Sequence, residues 1–152
     1  EGDLGAALRE WASGRDDVTI WGYLQGRELS EVYASADLFV TAGRAETFGL
    51  TILEAQASGL PVVAVASGAA PEAVAPGAGV LVVPDDPGAL TRAIAGLAGQ
   101  NLRAMGRLAR QFMEVNYGWE KTFGKLFAHY ERLLGCLPRE SSGATGRQIA
   151  GA

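Results

Sequence analysis

The 152-residue sequence is poor in cysteine and histidine, with only Cys136 and His129. A single cysteine excludes an internal disulfide, and one histidine beside it leaves no Cys/His set for a metal cluster. Lysine is also scarce, occurring only at positions 121 and 125, and the net charge is -4. Because nucleic-acid-binding domains are usually basic with a clustered patch, we expect no nucleic-acid partner.

Long hydrophobic runs are lacking as well. The longest apolar stretches, such as residues 60–66, are far shorter than the roughly 20 residues that cross a bilayer. No charged-then-apolar segment of the signal-peptide type opens the sequence. These absences predict a cytoplasmic protein without a transmembrane segment. With 48% hydrophobic residues, the chain has the composition of one globular domain with one core.

What the sequence does contain is an alternation of helical and β-branched apolar segments. We predict helix 4–11, strand 18–21, helix 28–35, strand 38–41, helix 49–58, strand 61–66, a short helix from Pro71, strand 80–83 and helix 88–98. The strands lack polar alternation, which is typical of a parallel sheet covered by helices on both faces. The predicted fold class is therefore α/β.

Asp86 and Pro87 are predicted to be the N-cap and the first helical residue of the helix that follows strand 80–83. Two further helices are predicted after Asn101, which is placed to cap the first of them. Each carries an apolar stripe at helical spacing, which favours packing against the domain. The first stripe consists of Leu102, Met105, Leu108, Phe112 and Val115, and the second of Trp119, Phe123, Leu126, Phe127, Tyr130, Leu133 and Leu134. Residues 138–152 are rich in glycine, serine and alanine without periodicity, so we predict a disordered tail after a domain at 1–137.

The most informative segment runs from Glu46 to Val63. Glu46 and Glu54 lie eight residues apart around the predicted start of a helix that follows a strand and a loop containing Gly43. Backbone amides in the first turn of a helix have no partner within it, and the helix dipole attracts phosphate or sugar oxygens. The segment therefore predicts a ligand site, with Glu46 in the loop at the helix mouth and Glu54 about one turn inside.

Around these two acids the sequence resembles the Glu-x7-Glu signature of retaining, nucleotide-sugar-dependent glycosyltransferases with the two-domain GT-B architecture, in particular glycosyltransferase family four. Glu-Thr-Phe-Gly-Leu at 46–50 carries the first acid, and Glu-Ala-x-Ala-Ser-Gly-Leu-Pro-Val-Val at 54–63 carries the second. Residues 18–24 resemble the family's strand that ends in glycine, and residues 32–40 resemble its helix-into-strand segment. The resemblance covers roughly residues 2–134.

The resemblance implies a partial C-terminal donor-binding domain, with a Rossmann-like parallel sheet that is half of a GT-B fold. Residues 1–3 resemble the acidic glycine turn after the second strand, so the first strands and their diphosphate-binding Arg and Lys are expected to be missing. In a sheet of order 3-2-1-4-5-6, strand 18–21 would be the third. We expect it apart from the others or beside 38–41, while 38–41, 61–66 and 80–83 stay adjacent and parallel.

The implied reaction moves a hexose from a nucleotide diphosphate sugar to a hydroxyl of a saccharide or lipid-linked acceptor, with retention of the anomeric configuration. The resemblance implies a front-face mechanism without a metal or other cofactor. The isolated 152 residues are expected to be inactive, and any membrane contact would be peripheral and made by the missing domain. The alternative is a non-catalytic nucleotide- or sugar-binding module. A dinucleotide-binding domain is disfavoured because no Gly-x-Gly-x-x-Gly follows a strand.

The resemblance gives each acid a role. Glu54 is implied to accept hydrogen bonds from both ribose hydroxyls of the donor, and two carboxylate oxygens suit two neighbouring hydroxyls. Its alternative role is the capping box Thr51-x-x-Glu54. Glu46 is implied to be catalytic, contacting the transferred sugar where positive charge develops at the anomeric carbon. Its alternative is a solvated loop acid.

The remaining implied site residues lie in the same loop or earlier in the chain. Main-chain amides are expected to bind the sugar and diphosphate at Thr47, Phe48, Gly49 and Leu50. The Phe48 side chain also suits a core position. Leu24 matches a position that contacts the base, with an apolar loop contact as its alternative, and Arg44 is either a phosphate ligand or a surface residue. One departure is Gly68-Ala69-Ala70, where relatives commonly have two glycines.

Overall fold

The computed structural model describes residues 2–136, which fall into two compact units that divide between Val115 and Asn116. The predicted tail, 138–152, lies outside the described residues. The helices are α1 (Gly5–Ala12), α2 (Gly26–Ser35), α3 (Leu50–Ala57), α4 (Ala70–Ala73), α5 (Pro87–Leu97), α6 (Leu102–Tyr117) and α7 (Trp119–Cys136). The strands are β1 (Phe39–Thr41), β2 (Val62–Val65) and β3 (Gly79–Val82). Among the described residues, no helix has the length and apolar composition of a membrane span.

The three strands form one parallel sheet in the order β1-β2-β3. Val62 on the central strand aligns with Phe39 on one side and with Gly79 on the other. This arrangement confirms the prediction that these three strands are adjacent and parallel. It also fits β-branched segments without polar alternation, because strands covered on both faces have no solvent side.

The central strand divides its side chains between two cores. Val62 and Ala64 belong to a cluster with Ile52 of α3, whereas Val63 and Val65 belong to a cluster that includes α5. All four residues of β2 are buried. Since successive side chains of a strand point to opposite faces, α3 and α5 cover opposite sides of the sheet. The predicted α/β fold with helices on both faces is confirmed.

The predicted caps of the two helices after β3 are present. Asp86 accepts a hydrogen bond from the Ala89 amide at 2.9 Å, and Pro87 is the first residue of α5. The Ala104 amide donates to Asn101 Oδ1 at 3.0 Å before α6. The amide of Ala89 is the main cause that lowers the pKa of Asp86, because a hydrogen bond favours the charged carboxylate. Asp86 therefore has a structural role.

The buried face of α6 differs in part from the predicted stripe. Gly106, Ala109 and Met113 are buried, while Leu108 and Val115 are exposed. A Cβ on Gly106 would overlap the carbonyl oxygen of Gly59, so the helix approaches the turn before β2 too closely for a side chain. Of the predicted stripe, Leu102 and Met105 pack against the cluster that includes α5, and Phe112 packs against the α3 cluster. The predicted stripe is therefore confirmed in part, and the buried face also contains Gly106 and Ala109, which a pattern of large apolar residues does not reveal.

The strand predicted at 18–21 is not formed, so that prediction is wrong. These residues have no regular secondary structure and no ladder partners among the described strands, and no residue of 2–35 is buried. As the order 3-2-1-4-5-6 predicts, the segment pairs with neither β2 nor β3. The other predicted helices and strands occur with ends shifted by a residue or two, a normal spread for element boundaries.

The second unit contains α7, whose aromatic residues stack along one side. The ring centroids of Trp119 and Phe123 lie 5.6 Å apart, and those of Phe123 and Phe127 lie 6.0 Å apart. All three side chains are exposed. The predicted packing of this stripe is therefore not observed among the described residues of this unit.

Candidate functional site

Three loops meet at one edge of the sheet because the strands are parallel. Residues 42–49 follow β1, residues 66–69 follow β2 and residues 83–86 follow β3. Open α/β sheets bind ligands at the carboxyl ends of their strands. The predicted site residues Arg44 and Glu46 lie in the first of these loops.

The start of α3 is formed by Gly49, which caps the helix in the left-handed conformation with φ 81°. A Cβ at this residue would lie 3.1 Å from the Cβ of Ala73, so glycine suits both the backbone and the space. The first bond of the helix joins the Leu53 amide to the Gly49 carbonyl at 2.9 Å. The amides of residues 50–52 precede this bond and so have no partner within the helix, which makes this helix end attractive to an anion.

The side chains beside these amides face solvent. Phe48 is 58% exposed and Leu50 is 59% exposed, and Thr47 is also exposed. The alternative of a core position for Phe48 is therefore excluded in this structure. Both apolar side chains lie at the mouth of α3, where they are available to a ligand.

Glu54 projects from the second turn of α3 and is exposed. The capping box considered for Thr51 and Glu54 is absent, because Gly49 is the N-cap and α3 has no side-chain cap bond. The Tyr33 hydroxyl on α2 lies near enough for the Glu54 charge to raise its pKa. Glu54 is thus not occupied with closing its own helix.

Tyr33 is a site neighbour that the sequence reasoning missed. Its half-buried ring packs against the α3 cluster, and its centroid lies 6.0 Å from that of Phe39. Burial raises the pKa of the Tyr33 hydroxyl, and the negative charge of Glu54 raises it further. The protonated hydroxyl is therefore the form favoured beside Glu54. Only the fold brings these two helices together, so no sequence spacing reveals the pair.

Glu46 is half-buried and engaged by backbone groups. Its Oε1 accepts the amide proton of Gly49 at 3.1 Å, and its own carbonyl accepts that of Ala69 at 2.9 Å. The solvated loop acid considered from the sequence does not describe this residue. The bond also shows that the Gly49 amide, predicted to serve a ligand, is used by the protein in this state.

Arg44 forms an ion pair with Asp85 at the same sheet edge. The distance from Arg44 Nη1 to Asp85 Oδ1 is 2.7 Å, and both side chains are 65% exposed. A cavity of about 190 Å³ lies beside them, lined also by Val65 and Leu90. Exposed ion pairs contribute little stability, so a phosphate would compete readily for this guanidinium.

Leu24 lies in a different surface region. It is half-buried and lines a groove of about 470 Å³ with Trp21, Val32 and other residues of α2. The lining of this groove includes none of residues 44–54. The structure therefore brings Arg44 and residues 46–50 together and places Glu54 one turn inside α3, but it does not join Leu24 to them in one cavity.

Carboxylates and other ligating side chains are too dispersed for a metal centre. Within residues 2–136, no group of three His, Cys, Asp or Glu side chains has a geometry that would hold a metal ion. The polar groups of the α3 mouth, namely amides, two carboxylates and one guanidinium, are instead suited to an oxygen-rich ligand that offers hydroxyl donors and anionic acceptors.

Comparison with known families agrees with this arrangement. The model of the family described as glycosyl transferases group 1 matches residues 1–100. The chain belongs to this family. The match includes β1, the loop with Glu46, all of α3 and the sheet that carries them.

Similar proteins include two glycosyltransferases. The D-inositol 3-phosphate glycosyltransferase of Segniliparus rotundus is 42% identical over 122 residues, which are 78% of this chain and 27% of that protein. The sulfoquinovosyl transferase of Arabidopsis thaliana is 55% identical over 53 residues, which are 35% of this chain and 10% of that protein. The chain thus spans about a quarter of the first relative's length.

The fold is shared with a solved glycosyltransferase structure. Sucrose-phosphate synthase from Thermosynechococcus elongatus superposes with a TM-score of 0.73 and 28% identity over 88% of this chain and 34% of the synthase. This likeness supports a GT-B-type, Rossmann-like fold for the group 1 domain described here.

Proposed function

We propose that these residues form most of the C-terminal donor-binding domain of a retaining glycosyltransferase of family four. The whole protein would transfer a hexose from a nucleotide diphosphate sugar to a hydroxyl of a saccharide or lipid-linked acceptor. The observation that carries this proposal is the α3 mouth, where Glu46 and Glu54 flank amides that precede the first helical hydrogen bond. Family membership and the two similar glycosyltransferases support the same reaction class.

Glu54 is proposed to hold the ribose of the donor. Its exposed carboxylate has oxygens for two hydroxyl donors, and the Tyr33 hydroxyl lies near it on the side of α2. Hydrogen bonds to a charged carboxylate are stronger than neutral ones. The assignment gives a role to a carboxylate on the second turn of α3 that does not cap its own helix.

The diphosphate is proposed to lie against the amides at the start of α3. The helix dipole and the amides of residues 50–52 favour its negative charge. Arg44 would leave Asp85 and contact a phosphate oxygen, because their exposed pair is weak. One guanidinium offsets only part of the diphosphate charge, so the proposal expects further cations in the whole protein. It needs no metal, as in the family that the sequence resembles.

Glu46 is proposed to act at the transferred sugar. In a front-face reaction, the bond from the anomeric carbon to the phosphate oxygen breaks while the acceptor oxygen bonds to that carbon on the same face. The acceptor's proton passes to the leaving phosphate. Positive charge develops at the anomeric carbon during this step, and a nearby carboxylate stabilises it. The carboxylate is already partly shielded from water and fixed by Gly49.

The test is a panel of UDP-, GDP- and ADP-sugars titrated into the whole protein, followed by transfer assays with saccharide acceptors. We expect one donor class to bind and to be turned over, and Glu46→Gln to lower kcat more than donor affinity. We also expect the isolated 152 residues to transfer nothing, since the acceptor-binding domain is absent from them. An unchanged kcat in Glu46→Gln would remove this residue from the mechanism.

A non-catalytic binding module is the second candidate. Its support is that the exposed Glu54 and the α3 amides could bind a donor whether or not Glu46 takes part in a reaction. Binding of a nucleotide sugar without transfer to any acceptor would support this second function against the first.

A further inference from the structure

The loop after β2 binds the loop that carries Glu46 through hydrogen bonds and a close backbone contact. We name residues 66–70 the Gly68 loop. The Ser67 hydroxyl donates to the carbonyl of Arg44 at 2.7 Å, and the Ala69 amide donates to the carbonyl of Glu46 at 2.9 Å. Between these two bonds, Gly68 lies directly against the Glu46 backbone.

Only glycine fits at position 68, between the two hydrogen bonds. A Cβ at Gly68 would overlap the Glu46 carbonyl oxygen and would lie 3.1 Å from both the carbonyl carbon and the amide nitrogen of Glu46. Its φ of 56° also lies in the left-handed region that favours glycine. Any side chain at this position must push the Glu46 peptide away.

The Gly68 loop is itself anchored to α3 through buried hydrogen bonds. Gln56 is fully buried, its Nε2 donates to the Ala73 carbonyl at 2.7 Å, and its Oε1 accepts the Ala75 amide at 2.7 Å. These bonds fix α4, which follows the loop directly. The Glu46 peptide is therefore held by a loop whose far end is tied to the helix that carries Glu54.

One glycine is sufficient for this geometry. In this chain Gly68 is followed by Ala69. The single glycine stands at the position that touches Glu46, and the next residue contributes only its backbone amide, which alanine supplies equally well. The loop contacts the Glu46 peptide through backbone atoms, and the Ser67 hydroxyl binds the Arg44 carbonyl two residues earlier.

We propose that the Gly68 loop is a positioning element that sets the place of the Glu46 carboxylate relative to the reacting sugar. The inference rests on the proposed role of Glu46 in turnover. The Gly68 loop binds the Glu46 carbonyl, and the Gly49 amide binds the Glu46 carboxylate. Both the backbone and the side chain of Glu46 are therefore held in place before a donor binds. Such preorganisation matters for a group that acts on developing charge, because small displacements lower the rate strongly.

The experiment compares Gly68→Ala with Gly77→Ala in the whole protein. Both glycines have positive φ, 56° and 73°, so alanine strains the backbone in both. A Cβ at Gly77 would meet no atom within 4 Å, and this residue precedes β3 at the opposite end of the sheet, which makes it a matched control. We measure kcat, the affinity for the nucleoside diphosphate and amide hydrogen exchange.

For Gly68→Ala we expect kcat to fall about 10- to 100-fold because Glu46 is displaced. Affinity for the nucleoside diphosphate should change less than about threefold, because Glu54 and the α3 amides remain in place. The amides of Ala69 and Gly49, both bonded to Glu46, should exchange faster. Gly77→Ala should leave kcat, affinity and these two amides unchanged.

A pair of milder variants at Ser67 tests the same proposal if Gly68→Ala does not fold. Ser67→Ala removes the hydroxyl that holds the Arg44 carbonyl, without adding atoms. It should lower kcat about two- to tenfold at unchanged nucleotide affinity. Ser67→Thr keeps the hydroxyl, so its kcat should stay close to that of the unchanged protein.

Each outcome decides between the proposals. Unchanged kcat in Gly68→Ala and Ser67→Ala, together with lowered kcat in Glu46→Gln, would overturn the positioning role and leave the proposed function standing. Equal losses of kcat, affinity and amide protection throughout the fold would show a merely structural loop and would also overturn it. Unchanged kcat in Glu46→Gln would instead contradict the proposed function on which the inference rests.

Discussion

Residues 2–35 and residues 39–113 carry the same alternation of helical and β-branched segments, but only the second region builds a sheet with a core. No residue of 2–35 is buried, whereas every residue of β2 is. Val-Thr-Ile-Trp at 18–21 has the composition of a strand and forms none. Strand composition alone is therefore not sufficient, because a segment forms a strand only where it can pair with a neighbouring strand.

The comparison separates two parts of the proposed site. Glu46 and the amides of α3 belong to the packed region, where loops after β1 and β2 bind each other. Leu24 belongs to the region without a core and lines its own groove. Tyr33 joins the two regions, because its ring packs against the α3 cluster and its hydroxyl lies near the Glu54 charge. We expect substitutions to have large effects in the packed region and small effects outside it.

The largest stability effect is expected from Gln56→Leu. This change removes two buried hydrogen bonds and leaves the Ala73 carbonyl and the Ala75 amide without their partner. Unfolding in urea should show a loss of about 2–5 kcal/mol, since each unsatisfied buried group costs about 1–3 kcal/mol. The matched control is Gln25→Leu, an exposed position in residues 2–35, where we expect less than about 0.5 kcal/mol. Equal effects at both positions would contradict the contrast between the regions.

The next effect concerns donor binding. Glu54→Gln should weaken binding of the nucleotide diphosphate by about 1.5–3 kcal/mol, roughly 10- to 150-fold, if charged hydrogen bonds hold the ribose. Stability should change little because Glu54 is exposed. Calorimetric titration of the whole protein measures this directly. Intact donor affinity in the variant would remove Glu54 from the ribose site.

Gly106→Ala and Gly5→Ala add one methyl group to a helix in the packed region and in residues 2–35, respectively. The new Cβ at position 106 would overlap the Gly59 carbonyl oxygen, and overpacking of this kind typically costs about 1–3 kcal/mol. Gly5→Ala on α1 is the control, because the nearest atom, Arg9 Nη2, lies 3.5 Å away at the end of a flexible side chain. There we expect no loss, or a gain of up to about 1 kcal/mol from helix propensity. A destabilised Gly5→Ala would show that α1 is packed more tightly than described.

The sequence predicts the three strands and the positions of Glu46 and Glu54 better than it predicts the contacts between segments distant in sequence. Three adjacent strands, the cap at Asp86 and the mouth of α3 depend on local patterns and are predicted. The Tyr33 hydroxyl at Glu54 and the Gln56 bonds to α4 join segments distant in sequence, so no spacing predicts them. The missing strand at 18–21 has the same cause, since a ladder requires a partner elsewhere in the chain.

The smallest effect is expected from Tyr33→Phe, at the junction of the two regions. The ring and its packing beside Phe39 remain, and only the hydroxyl near Glu54 is lost. Donor affinity should fall by about 0.5–1.5 kcal/mol, less than for Glu54→Gln, because at most one hydrogen bond to Glu54 is removed. In Glu54→Gln protein the same change should have a reduced effect, since the two residues act together. Additive losses in calorimetric titration would indicate that Tyr33 does not act through Glu54.

The most direct test of the account is a crystal structure of the whole protein with a nucleotide diphosphate sugar that supports transfer. The account predicts that the Glu54 carboxylate accepts hydrogen bonds from both ribose hydroxyls, that the diphosphate lies against the first turn of α3, and that Glu46 lies beside the sugar. A nucleotide bound elsewhere, with Glu54 contacted only by Tyr33, would contradict it.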